Sequence, residues 1–106
     1  MSLIKELDAV SFQTVIQSET PALVDFWSPG CKPCGMLLPV LEGLAEENDG
    51  YAVVAKINAA EFPQIAAQFG IDLLPTLLFF HKGKVVERMS GVQSKHKLQN
   101  ALDEIE

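Results

Sequence analysis

The sequence predicts an α/β fold, in which a central mixed β-sheet of about four to five strands is flanked by about four helices on both faces. Three observations support this prediction. Strand-like and helical patterns alternate along the 106 residues. Short loops join one strand, one helix and the next strand, which implies a parallel pair with a right-handed crossover. A hairpin follows, and its antiparallel strands make the sheet mixed.

The first helix is predicted between Asp8 and Thr20-Pro21. Asp8 can cap its N-terminus, and Phe12, Val15 and Ile16 recur at helical spacing. The mostly apolar residues 22–27 then predict a buried strand, which is followed by a tight loop at residues 28–30.

The second helix is predicted from about Lys32 to Glu47, and Asn48-Asp49-Gly50 ends it. Its apolar side chains recur at i, i+3, i+4 and i+7. They are Leu37, Leu38, Leu41, Leu44 and Ala45. The next strand is predicted from Tyr51 to Ile57, parallel to residues 22–27.

A short third helix begins near Pro63, which suits a first helical turn, and ends at Gly70. Strands at residues 76–81 and 84–89 flank the two-residue turn Lys82-Gly83.

The last helix follows Ser94. Its apolar stripe, a core face, consists of Leu98, Ala101, Leu102 and Ile105. No repeat or linker interrupts the pattern, so residues 1–106 are expected to form a single domain.

The charge of the chain limits its partners. There are 14 acidic and 8 basic residues, a formal net charge of −6, and no basic stripe for phosphates, so we expect neither nucleic acid nor a membrane surface as a partner.

The N-terminal residues lack a secretory signal pattern, which predicts a cytoplasmic location. Residues 73–80 are the longest mostly apolar stretch, far short of the about 20 residues that span a bilayer.

The two cysteines, Cys31 and Cys34, lie at the start of the second helix, after a strand and a short loop. Residues three apart on a helix have Cβ atoms about 5–6 Å apart, and a disulfide needs about 3.5–4.5 Å, so a small adjustment closes the bond. We expect Cys31, at the first helical position, to be the nucleophile. The helix N-terminus and the Lys32 ammonium both favour its thiolate.

Cys34 is expected to be the resolving thiol, because it shares a helix face with core leucines and is the less exposed. Pro33 restrains the spacing of the pair. Two alternatives are that the cysteines are small core residues or half of a metal site. Only His81 and His96 remain as soft ligands, without ligand spacing to the pair, and no cofactor motif is present. We therefore expect neither metal nor cofactor.

Several segments together are more specific than a lone C-x-x-C pattern. They are Leu23-Val24-Asp25-Phe26-Trp27, Cys31-Lys32-Pro33-Cys34, Met36, Pro39, Val54-Ala55-Lys56-Ile57-Asn58, Leu74-Pro75-Thr76, Gly83 and Gly91. Through them the chain resembles the thioredoxin family from about Phe12 to its C-terminus. The resemblance implies the thioredoxin fold.

Asp25 is a carboxylate in an otherwise apolar strand, where desolvation is expected to raise its pKa. The resemblance implies that it lies beneath the dithiol and helps to deprotonate Cys34 through water, as a proton acceptor. It also implies that Lys56, on the adjacent strand, tunes the charge of Asp25. The alternative is that Asp25 and Lys56 form only a structural pair.

Pro75 precedes a predicted strand. The resemblance implies a cis peptide bond at Pro75 and a groove in which the backbone around Leu74 pairs with an extended substrate. Its rim would include Gly30, Lys32, Pro33 and Gly91. The alternative is an ordinary turn proline.

The chain departs from the family pattern at four positions: Gly30 stands where tryptophan is usual, Lys32 where glycine is usual, Gly35 where lysine is usual, and Ala60 where many members are acidic. The first two changes remove an aromatic contact from the rim and add a cation. We therefore expect acidic or otherwise dedicated partners.

The predicted function is protein disulfide reduction by thiol-disulfide exchange between Cys31, Cys34 and disulfide-containing proteins. The resemblance implies recharging by a thioredoxin reductase or a similar electron donor, and we expect a monomer. Two alternatives remain open: a non-catalytic binding module of the same fold, and a disulfide oxidant or isomerase.

Overall fold

The computed structural model describes residues 2–105. The elements in chain order are β1 (Lys5–Leu7), α1 (Ala9–Ile16), β2 (Ala22–Trp27), α2 (Lys32–Glu47), β3 (Val53–Asn58), α3 (Pro63–Gln68), β4 (Thr76–His81), β5 (Lys84–Ser90) and α4 (Lys95–Asp103). The sheet order is β1-β3-β2-β4-β5. Strands β1 and β2 run parallel to β3, whereas β4 is antiparallel to β2 and to β5. The predicted mixed sheet is confirmed.

The third strand begins later than predicted, at Val53 rather than Tyr51. The carbonyl of Asn48 accepts hydrogen bonds from the N–H groups of Tyr51 and Ala52, at 2.8 and 2.9 Å. These two residues therefore turn the chain after α2 instead of pairing in the sheet, and Tyr51 is 80% exposed. Apolar side chains alone did not distinguish the turn from the strand.

The sequence pattern did not predict strand β1. It has three residues and pairs only with β3, at the sheet edge. Two of the three, Lys5 and Glu6, are exposed and charged, which is a common property of edge strands and weakens the apolar signal.

Each face of the sheet carries a separate apolar cluster. On one face, Phe12 and Ile16 of α1 and Ala66 of α3 pack against alternate residues of the strands. On the other, α2 and α4 pack over the remaining strand residues through their buried leucines, among them Leu41 and Leu98. Helices on both faces, as predicted, follow from the period-two alternation of strand side chains.

The ends of the helices are set by local hydrogen bonds. The Asp8 carboxylate accepts from the N–H groups of Val10 and Ser11 at the start of α1, and the Ser94 hydroxyl accepts from Lys97 at the start of α4. The predicted cap at Asp8 is confirmed, and the last helix follows Ser94 as predicted. These bonds lower the pKa of the exposed Asp8 carboxyl, because they stabilise its charged form.

The crossover from β2 to α2 brings the helix N-terminus to the carboxyl end of a buried strand. Residues 22–27 are in register with residues 53–58, and α2 lies across this parallel pair. No helix within residues 2–105 combines the length and the apolar character needed to cross a membrane.

Candidate active site

The loop between β2 and α2 is a tight turn. The N–H of Cys31 donates to the carbonyl of Ser28 at 3.3 Å, with Pro29 and Gly30 at the two central positions. Gly30 has φ +82°, in the left-handed region that favours glycine. Proline followed by a residue with positive φ is the pattern of a type II turn, and it directs the chain into α2.

Cys31 and Cys34 are joined by a disulfide, with their Cα atoms 5.3 Å apart. The predicted position of Cys31 needs a correction: it is the N-cap of α2, with extended backbone, and not its first helical residue. The reason is that its sulfur turns back over the first turn and accepts from the N–H of Cys34 at 3.3 Å. An N-cap side chain faces the free N–H groups of the helix, and these groups stabilise a negative charge such as that of the expected Cys31 thiolate.

The two cysteines differ in exposure, as predicted. Cys34 is 4% exposed and belongs to the buried side of α2, whereas Cys31 is only partly buried. Lys32 and Pro33 occupy the first and second helical positions, directly after Cys31, and both are exposed. At the second position the missing N–H of proline costs no helical hydrogen bond.

Asp25 is buried in the middle of β2, with 1% of its surface exposed. Within residues 2–105, neither of its carboxylate oxygens has a hydrogen-bond partner. Burial raises its pKa to about 7, against a lowering by the Lys56 ammonium, while the Glu6 carboxylate adds to the rise. A carboxyl group that exchanges its proton near neutral pH can act as a general acid or base.

Lys56 is in register with Asp25 on the neighbouring strand, but its ammonium forms an ion pair with Glu6, at 3.5 Å. Within the described residues, no ion pair joins Lys56 to Asp25. The structure therefore does not contain the structural Asp25–Lys56 pair that was the alternative. The ammonium also lies 5.0 Å from the centre of the Trp27 ring. The Trp27 indole N–H donates to Glu6 at 3.3 Å.

Glu6 was missed by the sequence reasoning. The available signal was the charged pair Lys5-Glu6 between Ile4 and Leu7. This pair does not indicate a functional residue unless the edge strand that carries it is known.

A cleft of about 200 Å³ brings these groups together. Its lining consists of Asp25, Trp27, Ser28, Pro29, Gly30, Cys31, Cys34, Gly35, Leu38 and Lys56. The buried carboxyl, the ammonium and both sulfurs therefore share one concave space, as an active site requires. Within residues 2–105, no group of three or more His, Cys, Asp or Glu side chains could hold a metal ion.

The predicted groove residues Leu74, Pro75 and Gly91 lie outside that cleft. The Leu74–Pro75 peptide bond is cis, and the N–H of Gly91 donates to the carbonyl of Pro75 at 2.9 Å. Leu74 lines a second, shallower groove, which also includes Ser28 of the active-site loop. The two concavities are thus adjacent, with the loop between them.

The comparisons with known proteins agree with this geometry. Residues 3–104 match the family model described as Thioredoxin. The chain is 45% identical to a thioredoxin from Chlorobaculum thiosulfatiphilum over 95 residues, which are 89% of this chain and 88% of that protein. It is 42% identical to a thioredoxin from Alicyclobacillus acidocaldarius over 99 residues, which are 93% and 94% of the two chains.

A solved structure gives the same result for the fold. The crystal structure of Malassezia sympodialis thioredoxin superposes with a TM-score of 0.87 at 28% identity. The match covers 97% of this chain and 90% of that one, so it includes the sheet, the helices and the loop that carries the cysteines.

Proposed function

The chain belongs to the thioredoxin family, and from this premise we propose that it reduces protein disulfides with Cys31 as nucleophile, Cys34 as resolving thiol and Asp25 as proton acceptor. The activity itself is that of a thiol-disulfide oxidoreductase. The observation that supports the assignment most strongly is a bonded cysteine pair at a helix N-terminus, above a buried carboxyl group with no partner among residues 2–105.

The reaction has two exchange steps. The Cys31 thiolate attacks one sulfur of a substrate disulfide, which breaks the substrate S–S bond and releases the other sulfur as a thiolate. Cys34 then loses its proton and attacks Cys31, which breaks the mixed disulfide and releases the second substrate thiolate. The two substrate sulfurs gain two electrons, and the chain is left with the Cys31–Cys34 disulfide of this structure.

The second step needs a base, because the Cys34 thiol is buried and burial disfavours a thiolate. Asp25 lines the same cleft, and its pKa of about 7 allows it to take a proton near neutral pH and release it again. Lys56 tunes this carboxyl through its positive charge. The attack of Cys34 is intramolecular, so it is fast relative to capture by a second molecule.

The substrate is proposed to lie along the groove of Leu74 and Pro75, with Gly30, Lys32, Pro33 and Gly91 at its rim. An extended segment there would pair with backbone groups and bring its disulfide to Cys31. After each turnover, a thioredoxin reductase or a similar donor would return two electrons to the chain.

The protein is further proposed to act as a monomeric single domain in the cytoplasm, in electron transfer that maintains cellular thiols. Sedimentation velocity tests the monomer, and cell fractionation tests the location. A dimer at micromolar concentration, or a protein confined to the periplasm, would contradict these two assignments.

Reduction of insulin by dithiothreitol tests the assignment of Cys31. The parent chain is expected to accelerate the reaction, and Cys31→Ser to leave only the rate of dithiothreitol alone, because no nucleophile remains. Cys34→Ser serves as the matched control, since it keeps the nucleophile and accumulates mixed disulfides that a non-reducing gel resolves. Equal turnover by the parent and Cys31→Ser would refute the redox function and favour a binding module.

Equilibration of the dithiol with glutathione distinguishes a reductase from an oxidant or isomerase. A reductase keeps its disulfide at a glutathione ratio that reduces a strong oxidant, because its reduction potential is lower. Full reduction under mildly reducing ratios would favour the oxidant.

A further inference from the structure

Three charged side chains form a row across the first three strands of the sheet. Glu6 of β1 is in register with Lys56 of β3, and Lys56 is in register with Asp25 of β2. Residues in register on parallel strands project from the same face, so all three lie on the face that α2 covers. The row ends at Asp25, beneath the cysteines, and begins at the open edge of the sheet.

The Glu6 carboxylate makes two contacts, one with each of its oxygens. Oε1 lies 3.5 Å from the Lys56 Nζ, and Oε2 accepts the Trp27 indole N–H at 3.3 Å. The Lys56 ammonium in turn lies 5.0 Å from the centre of the Trp27 ring, within the range of a cation–π interaction. One carboxylate therefore fixes both the cation and the aromatic ring that line the active-site cleft.

Lys56 has a second possible partner, which it does not contact. Asp25 is its other in-register neighbour, and within residues 2–105 both Asp25 oxygens lack a hydrogen-bond partner. The ammonium is 3.5 Å from Glu6, although Glu6 is the more exposed of its two acidic neighbours, with a side chain 52% exposed. The Lys56 ammonium is thus held toward Glu6, at the β1 end of the row.

We propose that Glu6 is a positioning residue of the redox site, which holds the Lys56 ammonium toward β1 and the Trp27 ring and so keeps it from closing onto the Asp25 carboxylate. The inference rests on the proposed role of Asp25. Its consequence is that Asp25 stays able to accept a proton from Cys34, instead of being fixed as an anion by a direct ion pair.

The groups that face Asp25 from each neighbouring element are few. The N-cap residue Cys31 and Cys34 of α2 contribute their sulfurs, and β3 contributes Lys56. On β4 the in-register neighbour is the apolar Leu77, and β1 acts through Glu6 on the far side of Lys56. Removing the Glu6 charge withdraws a negative field and frees the ammonium, and both effects favour the ionised form of Asp25.

The test is the titration of the Asp25 carboxyl carbon, followed by NMR in the reduced protein. In Glu6→Gln, which keeps an acceptor for Trp27 but no charge, the midpoint is expected to fall by about 0.3–1 pH unit. The direct field of one charge about 10 Å away, two strand spacings, accounts for the lower end of this range at the dielectric constant of water. The approach of the freed Lys56 ammonium to Asp25 accounts for the rest. The pH profile of insulin reduction should move in the same direction.

Two further variants control for a merely structural effect. Glu6→Asp keeps the charge and is expected to retain most of the parent midpoint. Glu47→Gln removes an equal charge and an ion pair with Lys95 at the opposite end of the 16-residue helix α2, and it should leave the midpoint unchanged.

A double variant tests whether Glu6 acts through Lys56. In the Lys56→Met background only the direct field of the Glu6 charge remains, so Glu6→Gln should shift the Asp25 midpoint by less than it does in the parent. An equal shift in both backgrounds would overturn the positioning role, and so would an unchanged midpoint in Glu6→Gln. The proposed function fails by a different result, namely Asp25→Asn reducing insulin as fast as the parent across the pH range.

Discussion

Asp25 is the residue whose burial links the stability of this protein to pH. Its carboxyl is 1% exposed, and burial raises its pKa to about 7, whereas in the unfolded chain it has the ordinary value near 3.8. The folded protein therefore binds this proton more tightly than the unfolded chain does. Between about pH 4 and pH 7, stability from this group is lost as pH rises.

Replacing Asp25 with asparagine is expected to stabilise the oxidised protein at about pH 8, because no charge must then be buried. The free energy of unfolding of Asp25→Asn minus that of the parent should increase by on the order of 2–4 kcal/mol from about pH 4 to about pH 8, since one pKa unit corresponds to about 1.4 kcal/mol. Urea denaturation at the two pH values measures the difference. Asp49→Asn, at an exposed position, is the matched control, and an equal pH dependence in parent and Asp25→Asn would contradict the prediction.

Cys31 lies one position before the first residue of α2, where its sulfur can face the N–H groups of the first helical turn. As N-cap, its sulfur already accepts one N–H from the first turn in the oxidised form. Free N–H groups at a helix end favour a negative charge by about 0.3–1 kcal/mol. The same contact is available to the thiolate once the disulfide is reduced.

At the scale of elements, short-range hydrogen bonds from side chains cap the N-termini of α1 and α4. Helix α4 is an informative example, because it lies on α2 and supplies Leu98, Ala101 and Leu102 to the apolar cluster under the site. Its N-terminus depends on Ser94, whose hydroxyl accepts the N–H of Lys97 at 3.1 Å. The contribution of α4 is to stability, since it does not line the active-site cleft.

Ser94→Ala is therefore expected to lower the free energy of unfolding by about 0.5–2 kcal/mol, the usual loss for an N-cap side chain. Insulin reduction at room temperature should not change. Ser94→Asp restores an acceptor and should recover most of the loss. Chemical denaturation followed by circular dichroism measures both variants, and a loss of activity without a loss of stability would show that α4 has a direct role in the site.

Strand β1 makes a different kind of contribution. It has three residues, but it carries Glu6 and completes the parallel part of the sheet. Its effect on the site is electrostatic, through the contacts of Glu6 with Lys56 and Trp27.

At the scale of the whole molecule, the net charge is opposite in sign to Lys32, the exposed residue that follows Cys31. The chain carries −6 overall, which repels acidic partners at long range, whereas exposed Lys32 places a cation beside Cys31. At physiological salt the Debye length is about 8 Å, so distant charges are screened and contact charges are not. Partner choice should therefore follow Lys32 rather than the net charge.

Peptide disulfides with an acidic or a basic residue beside the cystine test this expectation. At about 0.15 M salt, kcat/KM should be about 2–5-fold higher for the acidic peptide, consistent with a surface ion pair of up to about 1 kcal/mol. Lys32→Gln should remove the preference. Lys84→Gln, in the hairpin at the other end of β4, should retain it. A preference for the basic peptide in the parent would show that the net charge dominates.

The sequence by itself determined most of the fold and the chemistry of the site. Periodicity and local hydrogen bonding, which act over a few residues, predict the strands at residues 22–27 and 76–81, helix α2, the cap at Asp8 and the start of α4 after Ser94. Short-range patterns of the same kind identified the Cys31-Cys34 pair and the Asp25 carboxylate within an apolar strand.

Only the tertiary structure decided that Glu6 and Trp27 contact each other and Lys56 beside the active-site cleft. Glu6, Trp27 and Lys56 are separated by 21 residues or more along the chain, and they meet because β1 and β2 pair with the same strand. The start of β3 at Val53 and the N-cap position of Cys31 were likewise decided by hydrogen bonds, which the type of residue does not reveal. Spacing along the chain encodes local geometry, whereas contacts between strands depend on a register that no short segment specifies.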